Sequence, residues 1–386
     1  MSLDFQQVRD QVKALGEHAP LREQKLRDLQ KQAAGLLETH AKKLDELREK
    51  VGRAATANQT LRCALPFRDA LNHHIALPAM PQQATIIAAD GSQINPDRHA
   101  ETEYCLVNVG SIRTHIGEKD APEQTIKSDL FYDPDIYTDN GLLTEAQVAL
   151  IRDMREREVL VTLAAGQPEP VLTFTDGPLE LWSRDDAVLD SKNFARYLET
   201  LSALNIMGAA TAGYVDKPGS GLLVSLLEVA ALPEGKLGEA GKDHWLRGIT
   251  DAGLLSGVLA PGERSAVFGI QSKTASRYQD ALALHFFYLN VSMKDDFPWL
   301  VRVEVPGWVA NHIGMLDSLH AVLVRQCQVA GNIPYPYLLH RAHEIAVVTR
   351  DEKEQLERMI TQELYKNGVR PGWASAKGRM KQTQRR

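Results

Sequence analysis

The sequence predicts an α/β protein: a mixed β-sheet core flanked by helices, preceded by a long amphipathic helical region. Three observations carry that prediction. Short apolar runs alternate with longer amphipathic segments through the middle of the chain, the pattern of strands and crossover helices. Two of these runs, Thr85-Ile86-Ile87-Ala88-Ala89-Asp90-Gly91-Ser92 and Val171-Leu172-Thr173-Phe174-Thr175-Asp176-Gly177-Pro178, end in the same acid–glycine turn. Residues 1 to about 52 instead place Leu26, Leu29, Ala33, Leu37, His40, Leu44, Leu47 and Val51 three or four positions apart, which is helical spacing.

Taken in order, the opening helix is expected after a shorter one broken near Pro20, because proline removes a backbone donor. Residues 84 to 113 read as a hairpin: the Asp90 strand, a polar loop from Gln93 to His99, and a second strand from Thr102 to Ile112. Leu130 to Asp139 is turn-rich, and Thr144-Glu145 opens a helix running to about Ala165. The Gly166–Pro170 break leads into the Asp176 strand, followed by a helix from Ser191 to Leu204 and a strand from Ala209 to Asp216. A helix from Leu222 to Leu232 and a glycine-rich stretch to about Gly262 come next. Strands are expected at 265–271, 284–291 and 301–305, helices at Ile313–Val329 and about 351–365. The tail from Arg370 is basic, contains no acid and is expected to be disordered. This divides the chain into an N-terminal helical region for assembly (1–69), a core (70–350) and a C-terminal helix with its tail (351–386).

Composition narrows the class without naming an activity. With 44% hydrophobic and 24% charged residues the chain reads as a globular protein with ample core, and no apolar run reaches membrane-spanning length. Three scattered cysteines, Cys63, Cys105 and Cys327, exclude a disulfide framework or a zinc ribbon and fit a reducing cytoplasm. A net charge of −6 selects no partner.

Chemistry is expected where the two Asp-Gly turns meet. Asp90 and Asp176 each end a buried strand, and two such carboxylates converging make an oxygen-donor site for Mg²⁺ or Mn²⁺, although Asp-Gly is also an ordinary turn dipeptide. In the helix from Thr144, the spacing of Leu150, Ile151, Met154 and Val161 puts Glu158 on the apolar face and Glu156 opposite. A buried glutamate needs a cation or an ion-pair partner, and Arg155 could be the latter. Late in the chain, Pro334 and Pro336 hold Tyr335 in an extended segment ahead of His340 and His343.

These residues together resemble the NurA nuclease family. The likeness lies in Asp90-Gly91-Ser92, the acidic helix leading to Asp176-Gly177-Pro178-Leu179, Gly213-Tyr214-Val215-Asp216-Lys217-Pro218, Arg302-Val303-Glu304-Val305-Pro306 with Trp308, and Tyr335-Pro336-Tyr337-Leu338 with Ala342-His343. It spans roughly residues 70 to 350, in family order, with Leu338 standing where a proline is expected. The resemblance implies an RNase H-like core, similar to Argonaute PIWI domains, and a Mn²⁺-dependent (or Mg²⁺-dependent) DNase. It implies 5′-to-3′ exonuclease and single-strand endonuclease activity, a homodimer, and docking on a HerA-like hexameric ATPase in DNA end processing or phage defence. Carried onto this chain, Asp90 and Asp176 match the metal aspartates, Glu158 is the choice for the helix glutamate with Glu156 as competitor, and Tyr335 and His343 match the last motif. His343 is expected as metal ligand or proton shuttle, and Lys217 and Arg302 as phosphate contacts. A metal-dependent phosphatase, an RNA nuclease and a non-catalytic assembly subunit are the rival readings. No Walker-type phosphate loop is present, so any ATP-driven movement must come from another protein.

Overall fold

The structure is a computed structural model that describes residues 3–139, 141–181, 191–293, 297–329 and 333–370. The expected disordered tail from residue 371 lies outside the described residues. The chain divides into two compact units, one of Met1–Pro78 with Tyr214–Ala310, the other of Ala79–Gly213 with Asn311–Arg386.

In the first unit, the expected break at Pro20 is not where the helix ends. One helix runs Phe5–His40 with Pro20 inside it, and the second runs Leu44–Ala57. Pro20 is solvent-exposed with exposed neighbours, so the lost backbone bond there disturbs no packing. The chain turns instead where Leu71 donates its N–H to the Ala41 carbonyl. Beyond that point the stripe works as its spacing implies: Ala33, Leu37, Leu47, Val51 and Ala54 are buried in one core with Leu223, Leu226 and Leu227 of the Leu222–Ala231 helix. The strands Cys63–Pro66, Phe268–Gln271, Leu284–Asn290 and Leu300–Pro306 pair antiparallel in that order.

The second unit holds the two Asp-Gly strands side by side. Its strands lie in the order Glu123–Phe131, Cys105–Ile116, Ala84–Ile94, Val171–Asp176, Ala210–Val215. The first three form an antiparallel meander, and Ala84–Ile94 pairs parallel with Val171–Asp176. This is the mixed-sheet α/β core the sequence predicts. A parallel pair needs a crossover, and the Glu145–Ala164 helix supplies it, opened by a capping box in which Thr144 and Gln147 exchange hydrogen bonds. The strand Glu123–Phe131 escapes the pattern reading because both of its faces are largely exposed. An edge strand with charged side chains has no burial period to show. The Glu145–Ala164 helix and the Tyr337–Ala346 helix both pack on the strand Ala84–Ile94. Gly91 faces Arg152 and Glu156 of the former, while Ser92 reaches Ala346 of the latter, so successive residues address opposite helices. Among the described residues no helix is long and apolar enough to cross a membrane.

Candidate active site

Asp90 is presented by the strand at the centre of this unit, and its partner across the ladder is Gly110. That glycine sets how close the next layer comes. A Cβ at 110 would lie 2.5 Å from the Ala346 nitrogen and 2.6 Å from the Ala342 oxygen, so the end of the Tyr337–Ala346 helix rests with its backbone against the strand. Ser92 Oγ and Asn108 Nδ2 both donate to the Ala346 carbonyl, at 2.5 and 2.8 Å, filling an acceptor left free at the helix end. The helix thereby carries His343 to Asp90, where Nδ1 donates to Oδ2 at 2.7 Å. The other oxygen, Oδ1, accepts from the Gly91 N–H at 2.9 Å.

Asp176 ends the neighbouring strand at an exposed position, and Gly177 turns the chain there with φ +85. Loss of water around its carboxyl raises the Asp176 pKa and the charge of Asp90 adds to the rise, while the Tyr335 hydroxyl and the Gly177 N–H donate to it and oppose the shift. Asp90, Asp176, Tyr335 and His343 are therefore brought to one place, from four separate stretches of sequence.

The helix acid is a different matter. Glu158, expected on the apolar face, pairs with Arg155 at 2.6 Å and Arg196 at 2.5 Å; its carboxylate has the ion-pair role weighed against the metal role. Glu156, expected to point away, is 3% exposed and its Oε1 would lie 2.8 Å from a Cβ on Gly91. The single-stripe assumption fails because this helix packs on the sheet and also on the Lys192–Ile206 helix. Buried positions run nearly all round it, from Val148, Ile151 and Met154 to Glu156, Arg157 and Leu160.

Two guanidinium groups bracket Glu156. Arg157 Nη1 donates to Oε2 at 3.1 Å, and Arg152 Nε lies 3.5 Å from Oε1 while its Nη2 donates to Asp153 at 2.9 Å. Burial and the charge of Asp153 push the Glu156 carboxyl up, with Arg157 and Arg152 opposing and Asp90 adding to the rise. Arg157 is itself buried, stacked 5.4 Å from the Tyr197 ring, and Tyr197 donates to the Leu179 carbonyl at 2.9 Å. A continuous chain of contacts thus runs from Glu156 to the loop just beyond Asp176. Sequence reasoning missed Gly110, Arg152, Arg157 and Tyr197. Only Gly110 left a signal, a glycine inside the β-rich run Val107-Asn108-Val109-Gly110-Ser111-Ile112.

The two expected phosphate contacts lie in the other unit. Arg302, expected as a phosphate contact, is buried, with Nη2 on Glu304 at 2.7 Å and Nη1 on Ser220 at 2.5 Å, so both terminal nitrogens face partners inside the protein. Lys217 is exposed, its ammonium 5.0 Å from the Trp299 ring centre.

As a donor set, three carboxylates with one imidazole and a phenol suit a hard divalent cation such as Mg²⁺ or Mn²⁺. Among the described residues no three His, Cys, Asp or Glu side chains already enclose an ion position. Instead, the His343 ring hydrogen-bonds to Asp90 and two arginines flank Glu156. The residues fit the ion in kind.

A three-stranded meander continued by two crossover strands, with acids on its first and fourth strands and a glutamate on the first crossover helix, defines the RNase H-like class of fold. The chain belongs to the NurA domain family, whose sequence model matches residues 84–348. Among solved structures it is similar to the NurA nuclease from Sulfolobus solfataricus, at 10% identity over 93% of this chain and 95% of that one, with a TM-score of 0.50. It is also similar to a NurA structure with manganese (9% identity, 89% of this chain and 97% of that one, TM-score 0.42). A third similar structure is LC9-RNase H1, a type 1 RNase H with the type 2 active-site motif (15% identity, 42% and 75% covered, TM-score 0.23). No curated protein matches the sequence.

Proposed function

We propose that this protein is a divalent-cation-dependent deoxyribonuclease, with Asp90, Asp176, Glu156 and His343 as the residues that would hold Mn²⁺ or Mg²⁺. The observation that carries this reading is the junction of Asp90, His343 and Asp176 beside the buried Glu156, within a chain of the NurA domain family. Manganese in one similar NurA structure supports the choice of ion. When bound, the ion supplies a polarised phosphate oxygen and a nucleophilic hydroxide at neutral pH.

The protein's own groups do the rest. Asp90, backed by the Gly91 N–H, and Asp176, backed by Tyr335, are held in fixed directions by those donors. His343 is 60% exposed at its side chain, so its second ring nitrogen can either take the ion or, where it does not, pass a proton between the site and water. Arg157 keeps Glu156 aimed from behind, and Glu156 takes the place in this proposal first given to Glu158. Single-strand endonuclease and 5′-to-3′ exonuclease action, and work alongside a HerA-like hexameric ATPase in DNA end processing or phage defence, are the finer form of this reading. They rest on the family resemblance. The absence of a phosphate loop in the sequence is consistent with a separate motor. Homodimer formation fits Phe5, Val12 and Leu15, exposed apolar side chains on the Phe5–His40 helix.

In a Mn²⁺ assay on DNA, Asp90→Ala is expected to lose on the order of a thousandfold in cleavage rate, as removal of a group central to phosphoryl chemistry does. A variant that cuts at the wild-type rate removes the assignment. Parallel assays on RNA and on a small phosphate ester fix the substrate class.

A further inference from the structure

Resting on the cation site proposed above, we propose that Arg152 is the protein's own counter-cation for Asp153 and Glu156, next to Asp90, and that its guanidinium must leave Glu156 before a divalent ion is held there. Three independent features of the structure lead to it.

The first is position. Arg152 reaches Asp153 at 2.9 Å and Glu156 at 3.5 Å, and its stem lies over Gly91, the residue after Asp90, with Cγ 2.6 Å from where a Cβ would be. Gly91 is thus the only residue type that leaves room for this side chain against the strand. The second is charge. Acids gathered this closely repel one another, and a cation among them lowers that cost. Arg152 supplies one positive charge where the proposed ion would supply two, so the two cations compete for the Glu156 carboxylate.

The third is the difference between the two arginines on Glu156. Arg157 has a side chain 2% exposed and stacked on Tyr197, so it cannot leave without opening the core. The Arg152 side chain is 32% exposed and, among the described residues, no ring contact holds it, which leaves a path to solvent. Arg157 therefore orients Glu156 in both states, whereas Arg152 is exchangeable. Neither the helix nor the strand has to move, since one long side chain changing rotamer is enough.

The test is calorimetric titration of Mn²⁺ into the full chain without nucleic acid, comparing wild type, Arg152→Gln, Arg152→Lys and Asp90→Ala. With its competitor removed, R152Q is expected to bind Mn²⁺ about tenfold more tightly or better. R152K, which keeps the charge but cannot bridge two acids at once, is expected between R152Q and wild type. Metal-free R152Q should melt below wild type, and saturating Mn²⁺ should raise its Tm by more than it raises that of wild type. A purely structural Arg152 would not tighten binding, so affinity equal to or weaker than wild type in folded R152Q overturns the proposal. Should R152Q fail to fold, R152K decides by the same criterion. If wild type and R152Q bind equally while D90A does not bind, only the role of Arg152 falls. If none of the four binds Mn²⁺, the cation site falls and takes this inference with it.

Discussion

Glu156→Gln is expected to lower DNA cleavage by about a hundredfold or more, while Glu158→Gln stays within about threefold of wild type. The two glutamates are two residues apart on one helix, so the contrast tests placement and not composition. Glu156 is buried beside Gly91, with Asp90 close enough to influence its ionisation. Glu158 is taken up by Arg155 and Arg196. Glutamine keeps an acceptor for Arg157 but removes the negative charge, leaving a buried guanidinium without its counter-charge. Breaking such a pair costs roughly 3–5 kcal/mol. Rates are therefore compared at a temperature where circular dichroism shows both variants folded. The reverse ranking, with E158Q inactive and E156Q active, would return the metal role to Glu158.

The second large effect is expected at a residue with no functional side chain. Gly110→Ala should destabilise the protein by about 1–3 kcal/mol, lowering Tm by roughly 3–10 °C. The added methyl meets Ala346 N at 2.5 Å, Ala342 O at 2.6 Å and Ile345 C at 2.8 Å. All three are backbone atoms, so no rotamer change relieves the clash; either the helix lifts or the strand bends. Lifting the Tyr337–Ala346 helix separates His343 from Asp90, so cleavage should fall along with stability. Hydrogen exchange distinguishes the two responses. Loss of protection at 339–346 with the sheet amides unchanged is the expected result, and an unaltered exchange pattern would mean that the layers are not in contact at Gly110.

Much of this architecture was legible because burial leaves a period. The Asp90 and Asp176 strands, their Asp-Gly ends and the crossover helix from Thr144 are apolar runs or amphipathic stripes bounded by turn chemistry, and all appear with nearly the expected bounds. Where burial does not follow a simple period, the reading failed. The strand Glu123–Phe131 is exposed on both faces, and the helix Glu145–Ala164 is covered on more than one. In the second case Glu156, expected to point away, is buried, since a helix enclosed by a sheet and another helix has no polar side from which to count. Arg302 shows a related limit. In sequence an arginine between two valines reads as a cation on a strand, whereas its partners Glu304 and Ser220 come into view only in three dimensions. Arg152 and Arg157 carried no signal because charged residues on a helix are usually solvated.

The central claim is that Asp90, Asp176 and Glu156 hold one divalent-cation site in this fold. It is tested most directly by anomalous diffraction from a crystal soaked in Mn²⁺. A manganese peak roughly 2–2.5 Å from carboxylate oxygens of Asp90 and Asp176 is the expected result. Manganese bound only elsewhere on the chain, with Asp90 still hydrogen-bonded to His343 and no metal beside it, would contradict the claim.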